Sequence, residues 1–290
     1  MISEIKVSVC VVTYNQEKYI AECLQSLVDQ KTTFNFDVIV SDDCSTDSTA
    51  NIIMEYSRNY PDIIKPVIRR GNIGAGRNYI ETHALAKGEY IAHMDGDDYA
   101  LQGKLQSQAD YLDSHIGCNL VWHPVLLDKG DGKLKLKGIN NNLFYKQYKR
   151  EDILRFISIG ANCSKMYRKT VREFNWPGFD VVDYFANVEQ VGEGFSSFSS
   201  VEPYGVYRVG VGVSSEGSGT RLILDKSFRY FSEKYPQYRR NINTAVLTYF
   251  LKDLINGRDT AVLFFKCYIF TFHPLSIFDF IRNYKIIRSL

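Results

Sequence analysis

The 290-residue chain is short of several common signposts. It has six cysteines, Cys10, Cys23, Cys44, Cys118, Cys163 and Cys267, but no C-x-x-C pair and no cysteine–histidine cluster with zinc spacing. Reduced thiols are therefore expected, with Cys10, inside an apolar run, as a small buried one. No uncharged apolar run approaches the ~18 residues that a spanning helix needs. A signal peptide is also missing, because Glu4 and Lys6 interrupt the N-terminus and a strand pattern follows at once, so a cytoplasmic location is expected. An excess of either charge is missing too, with 35 Lys/Arg against 33 Asp/Glu. A net charge of +2 gives no case for nucleic-acid binding. Neither an internal repeat nor a low-complexity segment occurs.

What is present is an ordinary globular composition, 45% hydrophobic, with its charge unevenly placed. Residues 221–290 hold 12 Lys/Arg against 5 Asp/Glu, a balance of +7, which leaves −5 for the first 220. A basic, aromatic-rich end points to an anionic surface or carrier.

The first third alternates two periods. Residues 6–14, 36–43, 64–70 and 89–95 read as short apolar strands, and 15–30, 45–60 and 74–88 as helices, the last closed by Gly88 as C-cap. Such alternation means βαβ units and a parallel sheet, which binds ligands beyond the carboxyl ends of its strands. Polar clusters fall on that edge: Thr13–Asn15, Asp42–Asp43 and Asp95–Asp98. Further on, 101–115 reads as a helix, 119–130 as one strand, 128–138 as a turn and edge, and 155–170 as a strand pair. A short helix over 181–194 and a strand within 201–219 follow, the latter ending in a Gly/Ser-rich loop that is either flexible or anion-binding. From Leu222 onward the pattern is helical.

The segment YIAHMDGDDYA (90–100) poses the chemical question. Asp95, Asp97 and Asp98 fall within four residues at the end of an apolar strand. Like charges this close repel unless something neutralises them. A solvated turn is one answer, since Asp and Gly favour turns. A divalent cation held by oxygen ligands is the other.

Taken together, VSVCVVTYNQEKYIAECLQSL, DVIVSDDCSTDSTANII and GNIGAGRNYIETHALAKGEYIAHMDGDDY, with FDVVDYF and YGVYRVGVGVSS more weakly, resemble the family 2 glycosyltransferases of the GT-A fold, of the bacterial surface-polysaccharide type. The resemblance is dense over 6–112, thin to about 215 and absent beyond. It implies an α/β fold with a Rossmann-like, mostly parallel central sheet flanked by helices, here with a helical C-terminal extension. The implied division is a nucleotide-sugar-binding half (1–115), an acceptor-binding and catalytic half (116–220) and an aromatic-basic helical region (221–290).

The implied donor is a nucleoside diphosphate sugar, expected to be UDP-linked, bound with Mn²⁺ or Mg²⁺. The implied acceptor is a glycan or lipid-linked glycan hydroxyl. By this likeness Asp97 holds the metal and Asp95 contacts ribose or metal. Asp43, with Asp42 as second choice, accepts from the base; Thr13 and Asn15 form the first nucleotide loop; Arg77 faces the nucleotide and diphosphate. Helix capping by Asp42 or Asp43, and a solvated surface arginine at 77, are the plainer alternatives. The general base of an inverting transfer matches Asp183, with Asp180 as runner-up, although Val182 stands where the family carries Glu. A helix-capping role for Asp183 stays open. Arg208 either contacts phosphate or braces its loop. Gly210 departs from relatives that place a histidine after the Tyr-Arg pair. Of the five histidines, His93 reads as a satisfied core residue.

Two other functions compete. A catalytically silent nucleotide-sugar binder would suit Gly210 and the incomplete base motif. A sugar nucleotidyltransferase would want a Gly-rich basic loop near the N-terminus, and VVTYNQEKYI has no glycine. For the 262–290 tail, peripheral contact with the cytoplasmic face of a membrane, packing on the catalytic region and homo-oligomerisation all remain open.

Overall fold

The structure, a computed structural model, describes residues 4–137, 144, 146–157, 159–211 and 218–289. The glycine- and serine-rich stretch 212–217 lies outside the described residues, and with it the question of a flexible or anion-binding loop.

Three βα units come first: β1 (Ile5–Thr13), α1 (Ile20–Val28), β2 (Asn35–Asp42), α2 (Thr49–Asn59), β3 (Ile64–Ile68) and α3 (Ala75–Leu85). β4 (Tyr90–Asp95), the short β5 (Tyr99–Ala100) and α4 (Lys104–Ser114) follow. The middle holds β6 (Cys118–Trp122), β7 (Val125–Asp128), β8 (Leu134–Leu136), α5 (Arg150–Phe156), β9 (Met166–Arg168), α6 (Asp183–Gln190), β10 (Phe195–Phe198) and β11 (Gly205–Arg208). Four helices close the chain: α7 (Ser218–Lys234), α8 (Arg239–Ile255), α9 (Thr260–Phe270) and α10 (Ser276–Ser289).

Among the described residues the main sheet has seven strands in the order β10-β6-β9-β4-β1-β2-β3. β9 runs antiparallel to both neighbours, and the other described pairings are parallel. This is the mostly parallel GT-A-like sheet expected. A smaller sheet, β5-β11-β7-β8, stands beside it. Strand alternation divides the core. Val7, Val9 and Val11 join Leu24, Leu27, Ile53 and Leu105 on one face. Cys10, Ile39 and Ile91 join Tyr167, Tyr184, Phe185 and the C-terminal helices on the other.

Several local expectations are corrected. The stretch 119–130 is two strands in two different sheets, because Pro124 has no N–H to continue a ladder. The predicted strand pair over 155–170 is the end of α5, a 3-10 turn at Asn162–Ser164 and one strand, β9. Ile153, Leu154 and Phe156 fall at helical spacing and bury together. β10 carries no alternating pattern to announce it. Gly88 is not a C-cap. A Cβ there would lie 2.5 Å from the Ser8 backbone nitrogen, so glycine serves the close approach of this loop to β1. All six cysteines are free, as expected. Among the described residues no helix is long and apolar enough to cross a membrane.

The tail packs. Phe228, Phe231, Ile242, Val246 and Phe264 are fully buried in the same core as Tyr184 and Phe185 of α6. Of residues 262–290, Phe264 and Cys267 join this core, the Phe264 ring lying against Phe228 of α7 and Tyr249 of α8.

Candidate active site

Sheet register assembles the site. Thr13 at the end of β1 pairs with Asp42 at the end of β2, and Val12 pairs with Asp95 at the end of β4. Three polar clusters that are far apart in sequence therefore share one edge, where a parallel sheet takes its ligand.

After β4 the chain turns sharply, the Asp98 N–H donating to the Asp95 carbonyl over 3.0 Å. Gly96 lies so close to β1 that a Cβ would meet Thr13 at 2.8 Å. β11 then clips the turn to the small sheet. The Arg208 N–H donates to Asp98 Oδ1 over 2.8 Å, and Arg208 Nη1 donates to the Asp97 carbonyl over 2.6 Å. Its guanidinium also pairs with Glu22 and lies over the Tyr19 and Tyr99 rings at 5.0 and 4.9 Å. Here Arg208 braces the carboxylate turn.

The turn is strained electrostatically. Burial, then repulsion from Asp95, pushes the Asp97 carboxyl up to about 6. The same causes hold Asp98 well above the usual carboxylate range, and its Oδ2 is buried without a hydrogen-bond partner. Asp95 is the more open of the three, its side chain 32% exposed. Among the described residues no cluster of three or more His, Cys, Asp or Glu side chains could enclose a metal. The residues nonetheless fit Mg²⁺ or Mn²⁺, because such ions take one or two carboxylates and complete their shell with water and substrate phosphates. The crowded carboxylates of Asp95 and Asp97 are what such a cation would neutralise.

Behind Asp95 runs a buried relay. His93 Nε2 lies 3.2 Å from Asp95 Oδ1, His83 Nε2 lies 3.0 Å from His93 Nδ1, and the Tyr167 hydroxyl lies 2.7 Å from His83 Nδ1. One proton per link satisfies the chain: Tyr167 donates to His83, His83 to His93 and His93 to Asp95. Burial lowers the basicity of His83, which suits its neutral place. His93 is a satisfied core histidine, as expected, and it also orients a site carboxylate.

Asp183, the first residue of α6, makes no capping bond across the helix start; among the described residues its Oδ1 accepts the adjacent Tyr184 N–H at 2.9 Å. With Asp95, His93, Tyr79 and Tyr207 it lines a cavity of about 400 Å³. Asp180 is exposed and lies outside that lining. Burial raises the Asp183 carboxyl, and Lys165 opposes that most strongly. Lys165 is fully buried, its Nζ donating to the Tyr79 hydroxyl at 2.7 Å and to Asn187 Oδ1 at 3.2 Å. Burial drops its ammonium to about 8, with Asp183 and Asp95 holding it up.

The residues that family likeness assigns to the nucleotide form a second group, outside the cavity lining. Thr13 Oγ1 donates to Gln16 Oε1 at 2.7 Å. Asn15 adopts φ 52 and accepts the Thr46 N–H on Oδ1 at 2.8 Å. Asp42 Oδ2 accepts the Ser45 N–H at 3.0 Å. Asp43 accepts the Ile73 and Gly74 N–H groups, one on each oxygen, at 2.8 and 3.0 Å. It thereby pins the entry to α3. Arg77 stands apart: its side chain is 69% exposed and bound to Glu81 at 2.7 Å. Gly210 has φ 82, so a histidine there would carry a strained left-handed backbone, although a Cβ would meet nothing within 4 Å. Lys165, Tyr79, His83 and Asn187 are not signalled as site residues by the sequence. Lys165 in SKMY gives one hint, a lysine at the mouth of an apolar segment.

The glycosyl transferase family 2 model matches residues 8–174, more than half of the chain. The chain belongs to glycosyl transferase family 2. Within this family it is 42% identical over 126 residues to an uncharacterised protein of Mycobacterium tuberculosis, covering 43% of this chain and 36% of that one. It is 32% identical over 200 residues to the abequosyltransferase RfbV of Salmonella typhimurium, covering 62% and 56%. The fold matches a crystal structure of Staphylococcus aureus TarS 1–349 in complex with UDP-GlcNAc at a TM-score of 0.64 and 23% identity, over 83% of this chain and 71% of that one. The chain thus spans between about a third and somewhat over half of the length of these two curated family relatives.

Proposed function

We propose that the protein transfers a sugar from a nucleoside diphosphate sugar to an acceptor hydroxyl with inversion at the anomeric carbon. The observation that carries this reading is the meeting of Asp95 and Asp183 on one cavity at the carboxyl edge of the sheet. Family membership supplies the reaction class, and the residues take the roles. Asp97, with Asp95, holds Mn²⁺ or Mg²⁺. When bound, that ion stabilises the negative charge of the departing diphosphate. Thr13, Asn15 and Asp42 shape the nucleotide loop. Asp43 keeps a second lone pair on each oxygen with which to accept from the base. Arg208 holds the carboxylate turn in place. Arg77 reaches the diphosphate only after leaving Glu81.

Asp183 accepts the proton of the attacking hydroxyl. Its raised affinity for a proton suits a base that must still be ionised near neutral pH. Lys165 keeps it so. Asp183 serves as the one base, while Asp95 on the same cavity is assigned to metal and donor, which is the division of roles an inverting displacement needs. On this reading residues 1–115 hold the donor, 116–220 present the base and acceptor, and 221–290 wall the cavity from behind through Leu224 of α7 and Tyr249 of α8, next to Thr220. The UDP-GlcNAc named for TarS supports a UDP-sugar as first donor to test, and a glycan, free or lipid-linked, is the acceptor on this reading.

A panel of nucleotide sugars, screened by thermal shift with and without Mn²⁺, tests the reading, since a ligand bound to the native state raises the melting temperature. A metal-dependent rise with one nucleotide class is expected. No rise with any donor would overturn it, and a rise without subsequent donor turnover would reduce the protein to a binder.

A further inference from the structure

The C-terminal helices bury one face and leave the other apolar and open. In α9, Phe264 and Cys267 are fully buried, whereas Val262, Phe265 and Ile269 are 60%, 48% and 58% exposed. In α10, Asp279 turns inward to Arg240, whereas Phe278 and Ile281 are each 66% exposed. The exposed positions recur at three- and four-residue spacing, so each helix presents a stripe rather than scattered side chains. Both helices pack on α8, and each leaves an unpartnered apolar stripe, the kind of surface that marks an interaction site.

Charge says what covers it. Lys266 follows Val262 by one turn, and Arg282 follows Phe278 by one turn, so both cations sit within the stripes, exposed. Neither forms an ion pair among the described residues. Of the acidic groups nearby, Asp253 pairs with Arg221 and Arg258 and Asp279 pairs with Arg240, while Asp259 at the start of α9 is exposed. A second copy packed through the same stripes would gather the cations of both copies in one apolar interface. An anionic bilayer accepts both components, because rings and aliphatic chains enter the interface while lysine and arginine extend to phosphate. No described helix is long and apolar enough to cross the bilayer, so the surface lies on it.

We propose that the exposed face of α9 and α10 docks the protein on an anionic lipid surface. This is independent of the transfer chemistry, and its test needs no activity. Full-length protein is sedimented with phosphatidylcholine vesicles and with phosphatidylcholine/phosphatidylglycerol vesicles, at low and high salt. Binding to the mixed vesicles at low salt is expected, weakened by salt and by omitting the anionic lipid. Phe278→Ser with Ile281→Ser, and separately Lys266→Glu with Arg282→Glu, should each weaken vesicle binding at least about tenfold. Both pairs are exposed, so melting temperatures should stay at the wild-type value. No binding to mixed vesicles at low salt would overturn the proposal, as would undiminished binding by both variants. A concentration-dependent dimer that the Phe278/Ile281 variant loses, without vesicle binding, would assign the face to a second copy instead.

Discussion

His93 Nε2 lies 3.2 Å from Asp95 Oδ1 and ends a buried relay that begins at the Tyr167 hydroxyl. The Asp95 carboxylate is thus held from behind by three rings in series, His93, His83 and Tyr167. His93→Phe keeps the bulk but removes the acceptor for the His83 N–H. An unsatisfied buried donor costs about 1–3 kcal/mol, so the melting temperature should fall. The donor KM should rise more than kcat falls, because Asp95 loses its orientation rather than its charge. Steady-state kinetics with thermal unfolding checks both. An unchanged KM would mean that the relay serves packing alone.

Asp97 links metal and stability. Its carboxyl sits at about 6, against an ordinary value near ~3.9. Between roughly pH 4 and 6 the folded chain therefore keeps a proton that the unfolded chain has lost. Stability from this group is present below that window and declines as pH rises through it. Without metal, Asp97→Asn should match wild type near pH ~4 and exceed it by roughly 2–3 kcal/mol near pH ~7. Denaturant unfolding at the two pH values measures the difference. A difference that does not grow with pH would contradict the assigned shift.

Asp183 and Lys165 make the base testable. Asp183→Asn should lower transfer by roughly 10²–10⁴-fold, the scale of general-base loss, with donor binding kept. Asp180→Asn should leave transfer near wild type. Lys165→Met removes the cation that opposes the raised carboxyl. The base then needs a higher pH to ionise, so the acidic limb of kcat/KM should move upward in pH. A limb that stays in place would detach Lys165 from the base.

The residues legible in the sequence are those whose chemistry repeats locally. Strands β1 to β4 announce themselves by apolar runs, and Thr13, Asp42 and Asp95 follow because strand ends share an edge. The cation at Lys165 is not legible, since its partners Tyr79 and Asn187 are 86 and 22 residues away. The same holds for His83, which joins His93 only through the packing of α3 on the sheet. Arg77 shows the opposite limit. A helix position fixed by family likeness does not fix where a long side chain points, and here Glu81 takes it. The half-helix, half-strand character of 155–170 is hidden because a short apolar run fits either period.

Release of UDP from a UDP-sugar by the full chain tests the central claim most directly. With Mn²⁺ present, wild type should release UDP, chelation should abolish release, and Asp97→Asn should remain inactive even when the metal is restored. Release by Asp97→Asn at the wild-type rate, or release indifferent to chelation, would contradict the account.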